Sequence, residues 1–581
     1  MNRRQFIQLM SIASVAGPKS LPAAHKLPDD FYEMPPFGQV RLLHLTDCHA
    51  QLLPVYYREP HINLGLGERQ GQVPHLVGDK FLQYFGLKPN TREAHAFTYL
   101  NYTEAAHQYG KVGGFAHLAT LIKRLRESYG TEKTLLLDGG DTWQGSGTAY
   151  WTRGQDMVGA TNLLGVDAMT GHWEFTYHAS EILANQQKFN GEFLAQNIFV
   201  KDEALFEGAE AFDEDSGLAF KPYTIRNLGG IRVAVIGQAF PYTPIANPAR
   251  FIPDWTFGIH EQHLQKLINT IRQQEKPEVV ILLSHNGMDV DLKLASKVSG
   301  CDVILGGHTH DGVPQPTQVK NRGGITLVCN AGSQGKFVGV LDLVIKNGQM
   351  TDYQYRLLPV FSNLIEPDKT MQTYIDQVRA PYLKQLNETL ATTEQLLYRR
   401  GNFNGPFDQL IGDALRIQSE AQIALSPGFR WGTTLLPGQP ITFEQVLNQT
   451  AITYPETYVQ NLTGQKIKQI LEEVADNLFY PDPYRQQGGD MVRVSGMHYV
   501  CDPTQSIYQR ISNLTLNDGT PIEMNKRYKV AGWATVGHPS PGKPIWEIVA
   551  DYLRDRKVIK LDKINQPKLR NIEGNPGIAN G

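Results

Sequence analysis

Between about residues 39 and 345, short apolar runs recur and end in polar or glycine residues: "VRLLHLTD", "TLLLDGGD", "DAMTGHW", "RVAVIGQAF", "VVILLSHNG", "DVILGGHTH" and "ITLVCNAG". Helical stretches separate them. Strands that are apolar on both sides need a sheet covered on both faces. The pattern predicts an α/β domain over residues 39–365, with function in the loops at the strand ends. Residues 366–399 predict a mostly helical linker with one break at Pro381. Residues 400–565 predict a second, smaller domain of mixed helix and strand. The stretch 52–110 is a long insertion rich in Tyr, Phe, His, Gly and Pro, without clear periodicity.

Composition sharpens this picture in three places. The chain has 581 residues, 41% of them apolar and 19% charged, which suits two domains with real cores. A net charge of −3 gives no sign of nucleic-acid binding. The first residues, "MNRRQFIQLMSIASVAGPKSLPAA", place Arg3-Arg4 before a short, weakly apolar run and small residues. This resembles a twin-arginine export signal over residues 1–24 and predicts a periplasmic mature protein. No later run approaches the roughly 18 apolar residues of a membrane helix, so the mature chain is predicted not to span a bilayer. The four cysteines, Cys48, Cys301, Cys329 and Cys501, form no zinc or redox spacing and read as buried thiols.

Metal-type residues stand at the ends of the apolar runs. "TDCHA" supplies Asp47 and His49, and residues two apart at a strand end point to the same side. "LDGGDTWQG" supplies Asp141 after two glycines that allow a tight turn. "SHNG" supplies His285, and "GGHTH" supplies His308 and His310. Any one of these alone is weak. Their joint occurrence, each after an apolar run, points to a two-metal site.

These strings, with "GHWEF" at 171–175, resemble the calcineurin-like metallophosphoesterases, and their 5′-nucleotidase branch over nearly all of residues 39–565. The resemblance implies a two-layered sheet sandwich flanked by helices, joined by the linker to the smaller C-terminal domain. It also implies that Asp47, His49 and His310 bind one metal, that His172, His285 and His308 bind a second, and that Asp141 bridges. His172 stands where the family has Asn; imidazole remains a good ligand for Mn, Fe, Co or Zn. In the second domain "FDQLIGDALR" and "LSPGFRWG" resemble family blocks, and the latter turns Arg430 toward the metals. The segment that carries a base-stacking aromatic in nucleotidases is replaced by "AGWATVGHPSPGKPIW", in which Trp533 reads as packing.

Trp173 stands where the family places its acid–base histidine. Losing such a group should slow ester hydrolysis by about 10²–10⁴. A sulfur leaving group, already stable as an anion, does not need it. Export, the metal motifs and GHWEF together resemble the thiosulfohydrolase family of sulfur-oxidising systems. That resemblance implies two Mn²⁺ ions, with Zn, Fe or Co as other competent ions. It also implies a cysteine S-thiosulfonate carried on the SoxYZ protein, and sulfate as product. Arg430 and Trp173 are the expected substrate-facing residues. Two other readings stand beside this one: a periplasmic nucleotidase or phosphoesterase with an altered acid–base pair, and a binding protein that keeps the fold without catalysis. The six rings Tyr56, Tyr57, Tyr84, Phe85, Tyr99 and Tyr102 make the insertion either a docking element for the carrier or a satellite core under a long loop.

Overall fold

The computed structural model describes residues 31–579, so the signal-peptide assignment for residues 1–24 lies outside the described residues. Two six-stranded sheets form the first domain. In spatial order the first runs Gln349–Pro359, Phe337–Lys346, Val40–Leu45, Thr134–Asp138, Ala168–Met169, Glu192–Phe193. The second runs Thr317–Asn321, Gly324–Asn330, Val303–Gly306, Val279–Ser284, Ile231–Gln238, Tyr223–Leu228. The central strands of each sheet are parallel.

Alternation along these strands explains their continuous hydrophobicity. Leu42, Leu135 and Leu137 pack between the sheets against Val235, Ile281, Leu283 and Leu305. Their neighbours Leu43, Leu45 and Leu136 face helices Phe115–Tyr129 and Gln155–Leu164. On the other sheet Val280, Leu282 and Ile304 face helices Glu261–Gln274 and Met288–Lys297. Every residue of Val40–Leu45 and Val279–Ser284 is buried. Each such leucine contributes roughly 1.5–3 kcal/mol of burial. The expected two-layered sandwich is therefore present, and the parallel strands all end toward the same loops.

The linker differs from its expectation. Helix Lys369–Arg379 leads through the turn at Ala380–Tyr382 into the short helix Leu383–Leu386, but Thr389–Thr393 is a strand. It pairs with Pro440–Thr442 on one side and Val558–Ile559 on the other, inside the second domain. Its threonines suit the pleated surface, and Leu390 is buried in that domain's core. A four-stranded sheet, Thr457–Thr463, Arg527–Trp533, Ile423–Ser426 and Arg493–Ser495, completes the domain with helices Pro406–Gln418, Gly464–Phe479 and Ile545–Arg556. The chain continues in structure past 565, where Lys568–Leu569 pairs with Met497–Cys501.

The insertion holds three short helices, Gly78–Phe85, Arg92–Phe97 and Tyr102–Tyr109. Tyr57, Phe85 and Tyr102 are buried, whereas Tyr84 is 56% exposed. Tyr57 and Phe85 belong to the core over the second sheet's outer face, so most of the insertion's aromatic content is internal packing. All four cysteines are buried free thiols. Among the described residues no helix is long and apolar enough to cross a membrane.

Candidate metal centre and substrate cleft

The loops leaving five strands bring the seven predicted metal residues together. Asp141, His172, His285 and His308 form one buried group; Asp47, His49, Asp141 and His310 form another, and Asp141 is common to both. Within each group the ligand atoms lie within 4.8 Å of one another. Asp141 Oδ2 stands 3.0 Å from His285 Nε2, 3.4 Å from His172 Nδ1 and 3.8 Å from His49 Nε2. Asp47 Oδ1 stands 3.3 Å from His310 Nε2 and 3.7 Å from His285 Nε2. Both ring nitrogens of His172 and of His308, and Nε2 of His285, are buried without a hydrogen-bond partner. Buried polar atoms rarely stay unpaired. Imidazole nitrogens converging with two carboxylates fit a pair of divalent transition ions. The two groups could hold a dinuclear centre.

Backbone strain accompanies the site. Asp47, His49, Asp141, His308 and His310 all adopt positive φ, between 45° and 74°. That region costs a non-glycine residue about 1–3 kcal/mol and persists where the surroundings dictate it. The loops also approach one another closely here. A Cβ on Gly307 would stand 2.3 Å from Thr46 Oγ1 and 2.9 Å from Asp47 Oδ2. The His308 amide donates to both Asp47 oxygens at 3.0 and 3.1 Å, and Thr46 Oγ1 donates to Oδ2 at 2.6 Å.

Charge and proton placement suit a cation. Burial pushes the His308 and His310 imidazoles well below their usual pKa, leaving neutral rings, the metal-binding form. Burial also opposes a charged His285, yet Asp141 and Asp47 lift its pKa to about 10. The two carboxylates thus favour positive charge at the point where they face His285 Nε2. His285 Nδ1 lies 2.6 Å from the Gly139 carbonyl, an acceptor that fixes the tautomer and aims Nε2 inward.

Glu174, inside the GHWEF string, organises two of these loops and escaped the sequence reading. Its Oε1 accepts from the Thr142 and Trp143 amides at 2.8 and 3.1 Å. Its Oε2 accepts from His172 and Asp141 at 2.9 and 3.2 Å. Burial and the Asp141 charge raise its pKa, and these amides work against that rise. The Trp173 amide donates to Asp141 Oδ1 at 2.6 Å.

The second domain supplies the roof. Trp173 is 6% exposed and meets Phe429 and Trp431 edge-on, with ring centroids 5.4 and 5.0 Å away. Trp431 lies 5.5 Å from the His49 ring and stacks on Phe429 at 4.1 Å. Phe429 and Trp431 flank Arg430 and were also missed. Trp533 donates its indole N–H to Ser426, as expected of a packing residue. Arg430 donates to the carbonyls of His308 at 3.4 Å and Gly489 at 3.0 Å, and its Nε lies 3.7 Å from Asp490. Beside it opens a cleft lined by the insertion (Asn63–Leu66, Arg69, His75), by His308, and by Arg400 and Arg430 of the second domain. Gly488 covers His308 so closely that a Cβ there would stand 2.4 Å from its Nε2.

A double-layered sheet that presents a shared-carboxylate Asp/His centre under an α/β roof defines a two-domain hydrolase of the 5′-nucleotidase type. Residues 389–539 match the family model "5'-nucleotidase, C-terminal domain". The trifunctional nucleotide phosphoesterase YfkN of Bacillus subtilis is 28% identical over 74% of this chain, which spans only 31% of that longer protein. The 5′-nucleotidase of Rattus norvegicus is 26% identical over 72% of this chain and 76% of its own length. The sulfate thiohydrolase SoxB of Thermus thermophilus superposes with a TM-score of 0.86 at 35% identity, covering 93% of this chain and 98% of that one. A 5′-nucleotidase precursor from the same species shares the fold at TM-score 0.72 and 22% identity over 92% of this chain and 99% of its own. The chain belongs to the SoxB family within the 5′-nucleotidase branch of the metallophosphoesterases.

Proposed function

We propose that this protein is a periplasmic thiosulfohydrolase that hydrolyses a cysteine S-thiosulfonate on a SoxYZ-type carrier and releases sulfate. The observation that carries the reading is Trp173. An indole occupies the position where relatives acting on phosphate esters place an acid–base histidine, while every metal position keeps a competent ligand. The likeness to SoxB supports it.

Two divalent cations, read here as Mn²⁺, would be held by Asp47, His49 and His310 on one side and His172, His285 and His308 on the other, with Asp141 shared. When bound they would activate water and neutralise charge on the sulfonate oxygens. The protein's own residues do the rest. Arg430 borders the cleft beside His308, where its guanidinium suits sulfonate oxygens. The Trp173, Phe429 and Trp431 rings exclude water and leave the departing sulfur without a proton donor other than an indole N–H. A thiolate-type leaving group tolerates this; an alkoxide does not. The cleft between insertion and second domain would admit the carrier's cysteine-bearing arm.

The test is sulfate release from purified SoxYZ carrying thiosulfonate, with AMP hydrolysis in parallel. Rapid sulfate release with negligible AMP hydrolysis is expected. Efficient AMP hydrolysis without sulfate release would replace the reading with a nucleotidase.

A further inference from the structure

After Lys568–Leu569 pairs in the second domain, the chain crosses to the insertion. The Asn63 amide donates to the Gly577 carbonyl at 2.7 Å, Val77 to Pro576 at 3.0 Å, and Ala579 to His61 at 2.9 Å. Asn575 is buried; its Nδ2 donates to the Gly65 carbonyl at 2.8 Å and its Oδ1 accepts the Gly577 amide at 2.9 Å. Ile578 bridges to Ile62 and packs against a second-domain core that also takes in Leu64. The fit is tight: a Cβ on Gly577 would stand 2.2 Å from the Asn63 carbonyl oxygen.

The segment fastened in this way is one wall of the cleft, through Asn63, Gly65 and His75. It is also connected to the opposite wall. The Leu64 amide donates to Asn402 Oδ1 at 2.8 Å, and Asn402 Nδ2 donates to Asp490 Oδ1 at 3.2 Å. Asp490 Oδ1 lies 3.7 Å from Arg430. A continuous chain of hydrogen bonds and ion pairs therefore runs from the C-terminal residues, through the insertion, to the arginine beside His308.

We propose that residues 571–579 are a strap that positions the 61–77 wall of the cleft and, through Asn402 and Asp490, Arg430. The strap ties the insertion of the first domain to the second, so the width of the passage is set by the chain's own C-terminal residues. Its kinetic consequence rests on the function proposed above; the positioning itself does not.

Hydrogen exchange of the metal-loaded full chain tests the positioning, comparing wild type with Gly577→Val and with the milder Asn575→Ala. Exchange across 61–78 should rise at least tenfold, with 279–284 unchanged. The KM for carrier-borne thiosulfonate should rise at least fivefold, with kcat within twofold and metal content unchanged. Wild-type exchange across 61–78 in a folded variant overturns the strap. Faster exchange with an unchanged KM overturns its role in positioning the substrate wall. If Gly577→Val fails to fold, Asn575→Ala carries the same comparison. A wild-type enzyme that releases no sulfate sinks the proposed activity alone, and the exchange data still decide the strap.

Discussion

Replacing Glu174 with glutamine should loosen both metal positions at once, although Glu174 belongs to neither ligand group. Its two oxygens accept four backbone amides, at 2.8, 2.9, 3.1 and 3.2 Å, from the loops that carry Asp141 and His172. A glutamine can keep one oxygen but must turn an NH₂ toward the other pair of N–H donors. Whichever way the amide sits, it loses one short and one longer bond. Hydrogen bonds to a charged group contribute about 1.5–3 kcal/mol each, so the loss is about 3–6 kcal/mol of local order. Part of it is recovered by loop movement, and loop movement displaces Asp141, the residue common to both groups. Residues that orient metal ligands typically change affinity by 10–100-fold. Chelator competition followed by elemental analysis should therefore show both ions weakened by about 10–100-fold in Glu174→Gln. Two ions per chain at wild-type affinity, with an unchanged unfolding midpoint, would refute the argument.

Much of this site was legible because strand hydrophobicity and motif position are local. Runs such as Val279–Ser284 announce their burial residue by residue, and the polar residue after each run marks where a loop leaves the sheet. Linker and insertion were harder for opposite reasons. "TLATTEQLL" follows a helix and has apolar residues that fit either period; Thr389–Thr393 becomes a strand because two distant strands leave a gap that it fills. The insertion's helices are only six to eight residues long and bury short faces against several partners, so no period accumulates. Glu174 sat in plain view within GHWEF, but its four amide partners exist only in the folded loops. Trp431 and Gly488 reach the metal centre through domain docking, which no local pattern encodes.

Asp141, common to both groups, gives a direct test of bridging: Asp141→Ala should lose both ions, whereas His49→Ala should weaken mainly one, and full two-ion occupancy in the Asp141 variant would contradict bridging. Gly488→Ala places a methyl 2.4 Å from His308 Nε2, so elemental analysis should show fewer than two ions in a normally folded protein. The His75–Asp289 pair, 2.7 Å apart, fastens the insertion to helix Met288–Lys297. Asp289 outweighs burial and raises the His75 pKa above 6.5, while the Asp289 pKa falls below 3.8. The tie is therefore complete between about pH 3.8 and 6.5 and is lost as pH rises through the raised value. Exchange at residues 72–78 should follow that titration and lose it in His75→Gln. The last test concerns Trp173→His. A histidine there restores the proton donor an alkoxide needs, so trace phosphatase activity should rise, toward the 10²–10⁴-fold expected of acid–base help. Sulfate release gains nothing from protonating an already stable sulfur anion, and it loses the ring that meets Phe429 and Trp431. It should stay level or fall. Parallel assays with a phosphate monoester and carrier-borne thiosulfonate decide it: much faster sulfate release with unchanged phosphatase activity would defeat the leaving-group argument.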